Sequence, residues 1–270
     1  MNTGKITQPL RWLGLMHFVD QVKYLYQKVK NRQKNAHFKV QHPDTALPPD
    51  YMLFEAFQLD HQKYYEGGAQ SARMIVDLIL PHAAPGVLRV LDWGCGPARI
   101  VRHLPNLLPV GSIIFGTDYN TRTVEWCRQH IKGVTFSQNN LHPPTTYSDQ
   151  FFQVIYSLSV LTHLSEASHQ AWYSELMRVA SPGAVLLLTT QGQAFCEKLT
   201  KTEQNQFKNG QLVVRGNVVE GHRVYSAFHP AAYMQALFQG SAVVLEHLPG
   251  YPQNWGIEQD IWIIRKISAP

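Results

Sequence analysis

Apolar runs typical of buried strands alternate with amphipathic runs typical of helices between residues 87 and 192. The predicted strands are, in order, VLRVLDW, SIIFGTDY, VTFSQN, FFQVIYSLS and AVLLLTTQ. The predicted helices between them are ARIVRHLPNLL, TRTVEWCRQHI and SEASHQAWYSELMRVA. Because strands joined through helices run in the same direction, this alternation predicts an α/β fold with a doubly wound parallel sheet between two helical layers.

The regular alternation of predicted strands and helices ends after residue 192. QLVVRG and HRVYSAF are predicted as short strands around a turn, and the helix AAYMQALF follows His229 and Pro230. The last two apolar runs, SAVVLEHL and DIWIIRK, have no helix between them, so they are predicted to pair antiparallel. With the five earlier strands they predict a seven-stranded, mostly parallel sheet whose last strand is antiparallel.

The residues before this sheet are predicted to be mostly helical. Apolar side chains at helical spacing predict a helix over residues 10–35, namely Trp12, Leu15, Met16, Val19, Val22, Tyr26 and Val29. We expect a basic amphipathic helix with a proline-rich connector at 1–50, a helical cap or lid at 51–86, and the main domain at 87–270. Gly67 and Gly68 are expected to break this cap and to act as its hinge.

The positive charge of the chain is concentrated at its N-terminus. Residues 1–40 hold 8 of the 24 basic side chains and one acidic side chain, Asp20, whereas the whole chain has a net charge of +5. The main domain is therefore not basic, which argues against a general nucleic-acid surface there. The N-terminal segment is either a cap or dimer helix with a solvated basic face, or an interfacial helix that touches anionic lipid.

The cysteine spacing and the hydropathy of the chain bear on metal sites, disulfides and membrane spans. Cys95, Cys127 and Cys196 are far apart and lack metal-ligand spacing, so we expect no metal site and no disulfide framework. This usage fits a reducing cytoplasm. We find no apolar run long enough to span a bilayer and no secretory signal pattern.

The stretch VLDWGCGPAR, residues 90–99, predicts a strand, a glycine loop and the start of a helix. It departs from the dinucleotide pattern G-x-G-x-x-G because Arg99 occupies the third glycine position, and no G-K-[ST] follows for a Walker A loop. Asp118 lies 24 residues after Gly94, at the predicted end of the second strand, where a carboxylate can accept hydrogen bonds from a ribose diol. A strand–turn–helix corner without a ligand is the alternative.

Five segments in order resemble the motifs of the class I S-adenosylmethionine (SAM) dependent methyltransferases of small-molecule biosynthesis. They are VLDWGCGPAR for motif I, IIFGTDYN, FSQNNLHPP, DQFFQVIYSLSVLTHLSE and WYSELMRVASPGAVLLLTT. The resemblance extends over roughly residues 60–267. Two departures are Ala98, where glycine is common in the family, and Phe152-Gln153, where the family usually has Phe-Asp.

The resemblance implies SAM as cofactor and S-adenosylhomocysteine (SAH) as its product. Gly94 and Gly96 would admit the methionine part, Asp92 would order the loop and the ammonium group, and Asp118 would bind the ribose hydroxyls. The implied cofactor-binding residues are Asp92, Gly94, Cys95, Gly96, Asp118, Tyr119, Asn139, Asn140, Leu141 and Ser157. Cys95 reads as a small spacer, and Arg99 either reaches the SAM carboxylate or forms a surface salt bridge.

Methyl transfer from a sulfonium is a direct displacement, so the protein mainly aligns the reactants and excludes water. A base is required only where the acceptor loses a proton, and histidine is the usual choice. His163 and His229 follow predicted strand ends and are the candidate catalytic residues. The alternatives are that His163 caps or packs against the next helix and that His229 is only the neighbour of Pro230.

The predicted acceptor residues are mostly aromatic. They are Tyr51, Tyr64 and Tyr65 in the cap, Gln191 at the end of the fifth strand, and Tyr251 and Trp255 in the loop LPGYPQNWGIEQD. The alternative is that the tyrosines of the helical cap pack in its core and do not contact the acceptor. No PPY-type motif follows the fourth strand, which argues against methylation of nucleic-acid amino groups.

The predicted function is methyl transfer from SAM to an O or N atom of a small organic, glycan or lipid-linked biosynthetic acceptor. One alternative is an enzyme that keeps the fold but performs cyclisation or rearrangement. Another is a non-catalytic SAM-binding partner protein, and a homodimer is possible for either.

Overall fold

The computed structural model describes residues 15–267, so Trp12 lies outside the described residues. The strands are β1 (Arg89–Trp93), β2 (Ile113–Asp118), β3 (Thr135–Gln138), β4 (Phe152–Ser157), β5 (Ala180–Thr190), β6 (Val213–Arg215), β7 (Ser226–Phe228), β8 (Ala242–Leu248), β9 (Pro252–Gln253), β10 (Gly256–Ile257) and β11 (Asp260–Lys266). The α-helices are α1 (Met16–Lys30), α2 (Arg32–Gln41), α3 (Asp50–Ala56), α4 (His61–Ile79), α5 (Thr121–His130), α6 (Glu166–Val179), α7 (Lys201–Lys208) and α8 (Ala231–Phe238).

Seven of these strands form one sheet in the order β3-β2-β1-β4-β5-β11-β8. The first five are parallel, and β11 runs antiparallel between β5 and β8. The predicted α/β class, the doubly wound seven-stranded sheet and the antiparallel last strand are confirmed. The shorter pairs β6–β7 and β9–β10 lie outside this sheet.

Each face of the sheet carries a hydrophobic core, because successive side chains along a strand point to opposite faces. Val90 and Val154 lie on one face, where they pack with Ile75 of α4. Leu91 and Ile155 lie on the other, with α6 and α8. The central strands are buried on both faces, which explains why they read as continuous apolar runs in the sequence.

The predicted helix ARIVRHLPNLL is wrong as an α-helix. This segment forms a turn and then a 3-10 helix over Val101–Asn106. Pro105 lies inside it, and a proline in the interior of an α-helix removes a hydrogen bond and clashes with the preceding turn. The short 3-10 helix accommodates the proline and leaves this side of β1 to be covered largely by α4.

The predicted hinge at Gly67-Gly68 is also wrong. Helix α4 runs through both glycines without interruption, and the break falls before it, where the Asp60 side chain caps the helix by accepting from the N–H of Lys63. A Cβ on Gly68 would lie 2.1 Å from the carbonyl oxygen of Arg99. Glycine is therefore required there for close approach of the helix to the loop after β1.

The N-terminal helices are joined to the body by side-chain amides. The predicted helix over 10–35 is two helices in the described part, α1 and α2, which meet at Asn31. Asn31 donates to the carbonyl oxygen of Leu59 at 2.7 Å, and Gln27 accepts from the N–H of Leu59 at 3.0 Å. The domain boundaries at residues 50 and 86 stay predictions, and the packing of Ile75 and Ile79 into the sheet core crosses the second one.

The region between β5 and β8 contains a helix that the sequence reading missed. Thr200 and Glu203 form a capping box that begins α7, a signal that S/T-x-x-E provides in the sequence. The two short strands predicted around a turn are present as β6 and β7, which pair antiparallel, and α8 follows Pro230. Within residues 15–267, no helix combines the length and the apolar character that a bilayer span requires.

Replacing Gly68 by alanine should destabilise the protein by about 1–3 kcal/mol, because the added methyl group would overlap the Arg99 carbonyl. Gly67→Ala is the matched control, since a Cβ there would meet nothing within 4 Å and alanine favours the helix by about 0.5–1 kcal/mol. Urea-unfolding free energies of both variants check this. Equal stability of the two variants would contradict the packing described above.

Candidate functional site

A cavity lies at the carboxyl ends of β1, β2 and β4, the place where open α/β sheets bind ligands. Its wall combines the loops that follow β1 to β4 with α3 and with the loop between β6 and β7. The lining residues are Met52, Glu55, Ala56, Trp93, Gly94, Gly96, Pro97, Asp118, Tyr119, Asn120, Thr123, Asn139, Asn140, Leu141, Leu158, Ser159, Val160, His163, Leu164, Trp172, Gly221, His222 and Arg223.

The turn after β1 folds back onto β2. The N–H groups of Gly94 and Cys95 donate to the Thr117 carbonyl oxygen at 2.8 and 3.0 Å. Gly94 has a φ of +78°, and a Cβ on it would lie 2.1 Å from a methyl carbon of Val160. The glycine thus lets the loops after β1 and β4 meet at the cavity floor.

Asp118 closes the other side of this turn. Its two carboxylate oxygens accept from the N–H groups of Gly96, at 3.0 Å, and Asn120, at 2.9 Å. Each oxygen keeps a further acceptor position, so the carboxylate is able to accept from two hydroxyl groups of a ligand. Burial raises the pKa of Asp118, and the two N–H donors oppose that rise.

Seven of the ten predicted cofactor-binding residues line the cavity: Gly94, Gly96, Asp118, Tyr119, Asn139, Asn140 and Leu141. The side-chain oxygen of Asn139 accepts from the Thr117 hydroxyl at 2.8 Å, and its NH₂ group donates to the carbonyl oxygen of Asn140 at 2.6 Å. Its amide therefore holds the loop after β3 in place, beside the cavity wall. A direct role in reading an adenine edge stays a prediction.

The other three predicted residues, Asp92, Cys95 and Ser157, are buried behind the wall. The Tyr156 hydroxyl donates to Asp92 at 2.7 Å, and burial raises the pKa of Asp92 to about 7. Burial also raises the pKa of the Cys95 thiol well above its usual value, which fits a packing residue and opposes a nucleophilic one. The Ser157 hydroxyl is buried with no hydrogen-bond partner in the described part of the chain.

His163 lies on the cavity wall, as its placement after the fourth strand suggested. Its Nδ1 is 2.8 Å from the carbonyl oxygen of Tyr225. A carbonyl only accepts, so this contact assigns the proton to Nδ1 and leaves Nε2 with a lone pair. Burial lowers the pKa of His163, which favours the neutral ring at neutral pH.

His229 is placed elsewhere. Its side chain is buried away from the cavity wall, with Nε2 at 2.8 Å from Nε2 of His169. Burial followed by the neighbouring His169 lowers the pKa of His229 well below its usual value. The structure therefore does not bring His229 to the site, and its contacts are those of a packed core histidine.

None of the six predicted acceptor residues lines the cavity: Tyr51, Tyr64, Tyr65, Gln191, Tyr251 and Trp255. Tyr64 is fully buried and donates to the carbonyl oxygen of Pro97 at 2.6 Å, so it supports the glycine loop from behind. Tyr65 packs against His103. Tyr251 and Trp255 are exposed around the β9–β10 hairpin. Tyr64 and Tyr65 thus belong to the core of the cap, which was the alternative reading, whereas Tyr51 is 39% exposed.

The loop between β6 and β7, residues 216–225, covers the cavity and was missed from the sequence. The Gly221 N–H donates to the His163 carbonyl oxygen at 2.9 Å, and the Tyr119 hydroxyl donates to the Gly221 carbonyl oxygen at 3.3 Å. Arg223 stacks on Phe54 at 4.2 Å and donates to the Phe54 carbonyl oxygen. We refer to residues 216–225 as the cover loop.

Arg99 forms no salt bridge with the described residues, and its contact with the SAM carboxylate stays a prediction. Its guanidinium lies 4.5 Å from the centre of the Phe57 ring and donates to the Ser71 hydroxyl at 3.3 Å. It is not part of the cavity wall. The side chain joins α4 to the loop after β1.

The wall residues fit the cofactor that the resemblance implies. Gly94 and Gly96 line the cavity without side chains, and the Asp118 carboxylate keeps free acceptor positions for a diol. Trp93, Leu141 and Trp172 supply apolar surface beside it, as a flat ring requires. Asp118 is a carboxylate on the cavity wall that suits a cation, whereas Asp92 lies buried behind the wall.

Comparison with known families agrees with the resemblance over part of the chain. A family model for a methyltransferase domain matches residues 90–183, which run from β1 into β5. This match includes the turn after β1, Asp118 and His163. The resemblance recognised from the sequence is therefore confirmed.

Solved structures with this fold include several methyltransferases. A SAM-dependent methyltransferase from Methanosarcina mazei matches with a TM-score of 0.54 and 17% identity, over 72% of this chain and 98% of that chain. One from Mesorhizobium loti matches at 0.52 and 14%, over 74% and 99%. The magnesium protoporphyrin IX methyltransferase of Synechocystis PCC 6803, solved with SAH, matches at 0.53 and 15%, over 91% and 100%. At these identities the likeness establishes the fold.

Asp118→Asn should weaken SAH binding at least about tenfold, because the amide carries no charge and offers only one acceptor oxygen to the ribose hydroxyls. Titration calorimetry with SAH measures the effect. Asp260→Asn is the matched control: Asp260 is also a buried carboxylate, it accepts from the Gly250 N–H at 3.0 Å, and it lies off the cavity wall. Equal losses in both variants would contradict a ligand role for Asp118.

Asp92 should make the free protein less stable as the pH rises from about 4 to about 7. Its pKa in the folded state exceeds the unfolded value, so the native state holds the extra proton and loses that advantage on deprotonation. Wild-type stability relative to Asp92→Asn should fall over this window by up to about 4 kcal/mol. Urea-unfolding free energies between pH 4 and 8 measure it, with Asp149→Asn, at an exposed carboxylate, as control. A flat difference would contradict a raised pKa.

Proposed function

We propose that the chain is a SAM-dependent methyltransferase that methylates an O or N atom of a small organic biosynthetic acceptor; the match of a methyltransferase-domain model to residues 90–183 supports this. SAM supplies a methyl group that its sulfonium charge already activates. The proposed acceptor class includes free small molecules and the glycan or lipid-linked precursors named from the sequence. A nucleic-acid acceptor is not proposed, since the net positive charge belongs to the N-terminal segment.

The observation that carries this proposal is His163 on the cavity wall, held in one tautomer. Its Nδ1 contacts the Tyr225 carbonyl oxygen at 2.8 Å, and its pKa is lowered by burial. A neutral ring with a lone pair on Nε2 is a base for an O–H or N–H group. A protonated histidine in the same position would have no such capacity.

The rest of the wall supports a compact and partly polar acceptor. Glu55 and Arg223 contribute one carboxylate and one guanidinium, whereas Met52, Val160 and Leu164 contribute apolar surface. Sites for small molecules combine an apolar wall with a few polar groups that fix the orientation of the ligand. We therefore propose that the acceptor lies between α3, His163 and the cover loop.

In this arrangement each part of the chain has one task. The turn at Gly94 and the carboxylate of Asp118 position the donor, and the cover loop limits the access of water. His163 removes the proton that the acceptor loses as the new bond to carbon forms. Alignment accounts for most of the expected acceleration, up to about 7–11 kcal/mol in favourable cases.

Incubation of the protein with a metabolite extract and methyl-labelled SAM, followed by mass spectrometry, tests the activity. The expected result is a product heavier than its precursor by one labelled methyl group in place of a hydrogen. A product of unchanged mass would indicate cyclisation or rearrangement and would overturn the proposal. SAH binding without any labelled product would favour a non-catalytic partner protein. The possible homodimer stays a prediction that sedimentation velocity can test.

His163→Gln should lower kcat for methylation of the acceptor found in that experiment by about 10²–10⁴-fold, while SAH affinity stays unchanged. His130→Gln is the control, since His130 also contacts a backbone carbonyl through Nδ1, at 2.8 Å, but lies on the surface of α5. In the wild type, kcat should fall only at a pH below the usual pKa of histidine. Unchanged kcat in His163→Gln would remove the base from the mechanism.

A further inference from the structure

Helix α1 turns its apolar side away from the protein. Seven large apolar side chains in α1 or directly before it are at least 39% exposed: Leu15, Phe18, Val19, Val22, Leu25, Tyr26 and Val29. At 100° per residue they cover about a third of the helix circumference. We call this surface the apolar stripe of α1.

The side of α1 that faces the body is polar. Asp20 is buried there, Gln27 bonds to the backbone of Leu59, and Tyr24 packs against Phe54 at 5.4 Å. A helix that packs on a globular core normally buries its apolar stripe and exposes its polar side. The reversed orientation of α1 therefore indicates that a second apolar phase lies on its outer side.

Basic side chains border the stripe. Lys23 and Lys30 lie along one edge and Lys28 along the other, at the helical angles that their numbers give. Helix α2 adds Arg32 and Lys39, and also Lys34, which pairs with Asp60 at 2.9 Å, whereas Asp20 is the only acid between residues 15 and 41 and is buried. Lysines beside an apolar stripe match the anionic headgroups that lie above the acyl chains of a bilayer.

We propose that α1 lies in the surface of an anionic lipid bilayer, with the apolar stripe inserted and the lysines among the headgroups. A second copy of the chain fits the surface less well. A two-fold contact through the stripe brings the same lysine-rich helix against itself, and like charges in contact oppose association. Tyr26 on the stripe suits the boundary between chains and headgroups, where aromatic rings with a hydroxyl group are favoured.

The same helix contacts the cover of the cavity. Asp20 lies 3.8 Å from the guanidinium of Arg223, and Arg223 stacks on Phe54 of α3. Binding of α1 to a bilayer thus places the cavity wall formed by α3 and the cover loop next to the lipid surface.

Sedimentation with vesicles tests it on the full chain. The probes are vesicles of phosphatidylcholine alone and of phosphatidylcholine mixed with phosphatidylglycerol. We expect binding to the mixed vesicles, weaker binding to the neutral ones, and loss of binding at high salt. The double variant Phe18→Ser/Leu25→Ser should bind the mixed vesicles at least about tenfold more weakly, because two apolar side chains no longer insert.

Val87→Ser/Val110→Ser is the matched control, because these two side chains are 61% and 98% exposed and lie outside α1. It should bind vesicles as the wild type does, and all variants should keep the wild-type unfolding midpoint and SAH affinity. Lys23→Glu/Lys30→Glu should weaken binding to the mixed vesicles only.

Three results would overturn the proposal. The first is no binding of the wild-type chain to either vesicle. The second is equal binding by the wild type and Phe18→Ser/Leu25→Ser, which would mean that charge alone attracts the helix. The third is a wild-type dimer, in sedimentation velocity, that this same variant dissociates, which would assign the stripe to a second copy.

Discussion

Three backbone N–H groups directed at the end of β2 determine where the site forms. Gly94 and Cys95 donate to the Thr117 carbonyl oxygen, and Gly96 donates to the Asp118 carboxylate. The chain leaving β1 is thereby bent onto its neighbour instead of continuing outward. The cavity, the position of Val160 opposite Gly94 and the fit of α4 against the Arg99 carbonyl all depend on this turn. This hydrogen-bonded turn explains why a short, glycine-containing segment at the end of one strand determines the position of the cavity and of the loops around it.

The sheet could be read from the sequence because its signal is periodic and its burial is strong. Strands such as β4, buried on both faces, appear as apolar runs whatever their neighbours are. Short elements lack that redundancy. The segment around Pro105 has the apolar spacing of a helix, but one proline outweighs several weak preferences. From the sequence alone, Gly68 resembles a helix break. In the structure it lies within α4, and glycine is needed there because a Cβ would overlap the Arg99 carbonyl, a contact that sequence spacing does not predict.

The candidate site divides in the same way. The proposed donor side follows strand ends, so the position of Asp118 on the cavity wall was predictable from spacing along the chain. The proposed acceptor side is built by segments distant in sequence, the cover loop and α3, and their meeting depends on tertiary packing. Aromatic content alone misled the reading there: Tyr64 is large and near the loop, but its ring is buried and its hydroxyl supports Pro97. The two candidate histidines could not be distinguished from the sequence, because His163 and His229 both follow strands. Only the fold shows that His163 lies on the cavity wall and that His229 is buried in the core.

The polar attachment of α1 has a consequence for motion. An element held by a few amide and ionic contacts, with little apolar area buried beneath it, opens at a lower free energy than the sheet it rests on. Its backbone amides are thus expected among the first to exchange with solvent. Because Asp20 contacts Arg223 of the cover loop, detachment of α1 also removes one of the contacts that hold the loop down. We therefore expect the N-terminal helix and the entrance to the cavity to open together, at a lower free energy than the core that carries the sheet.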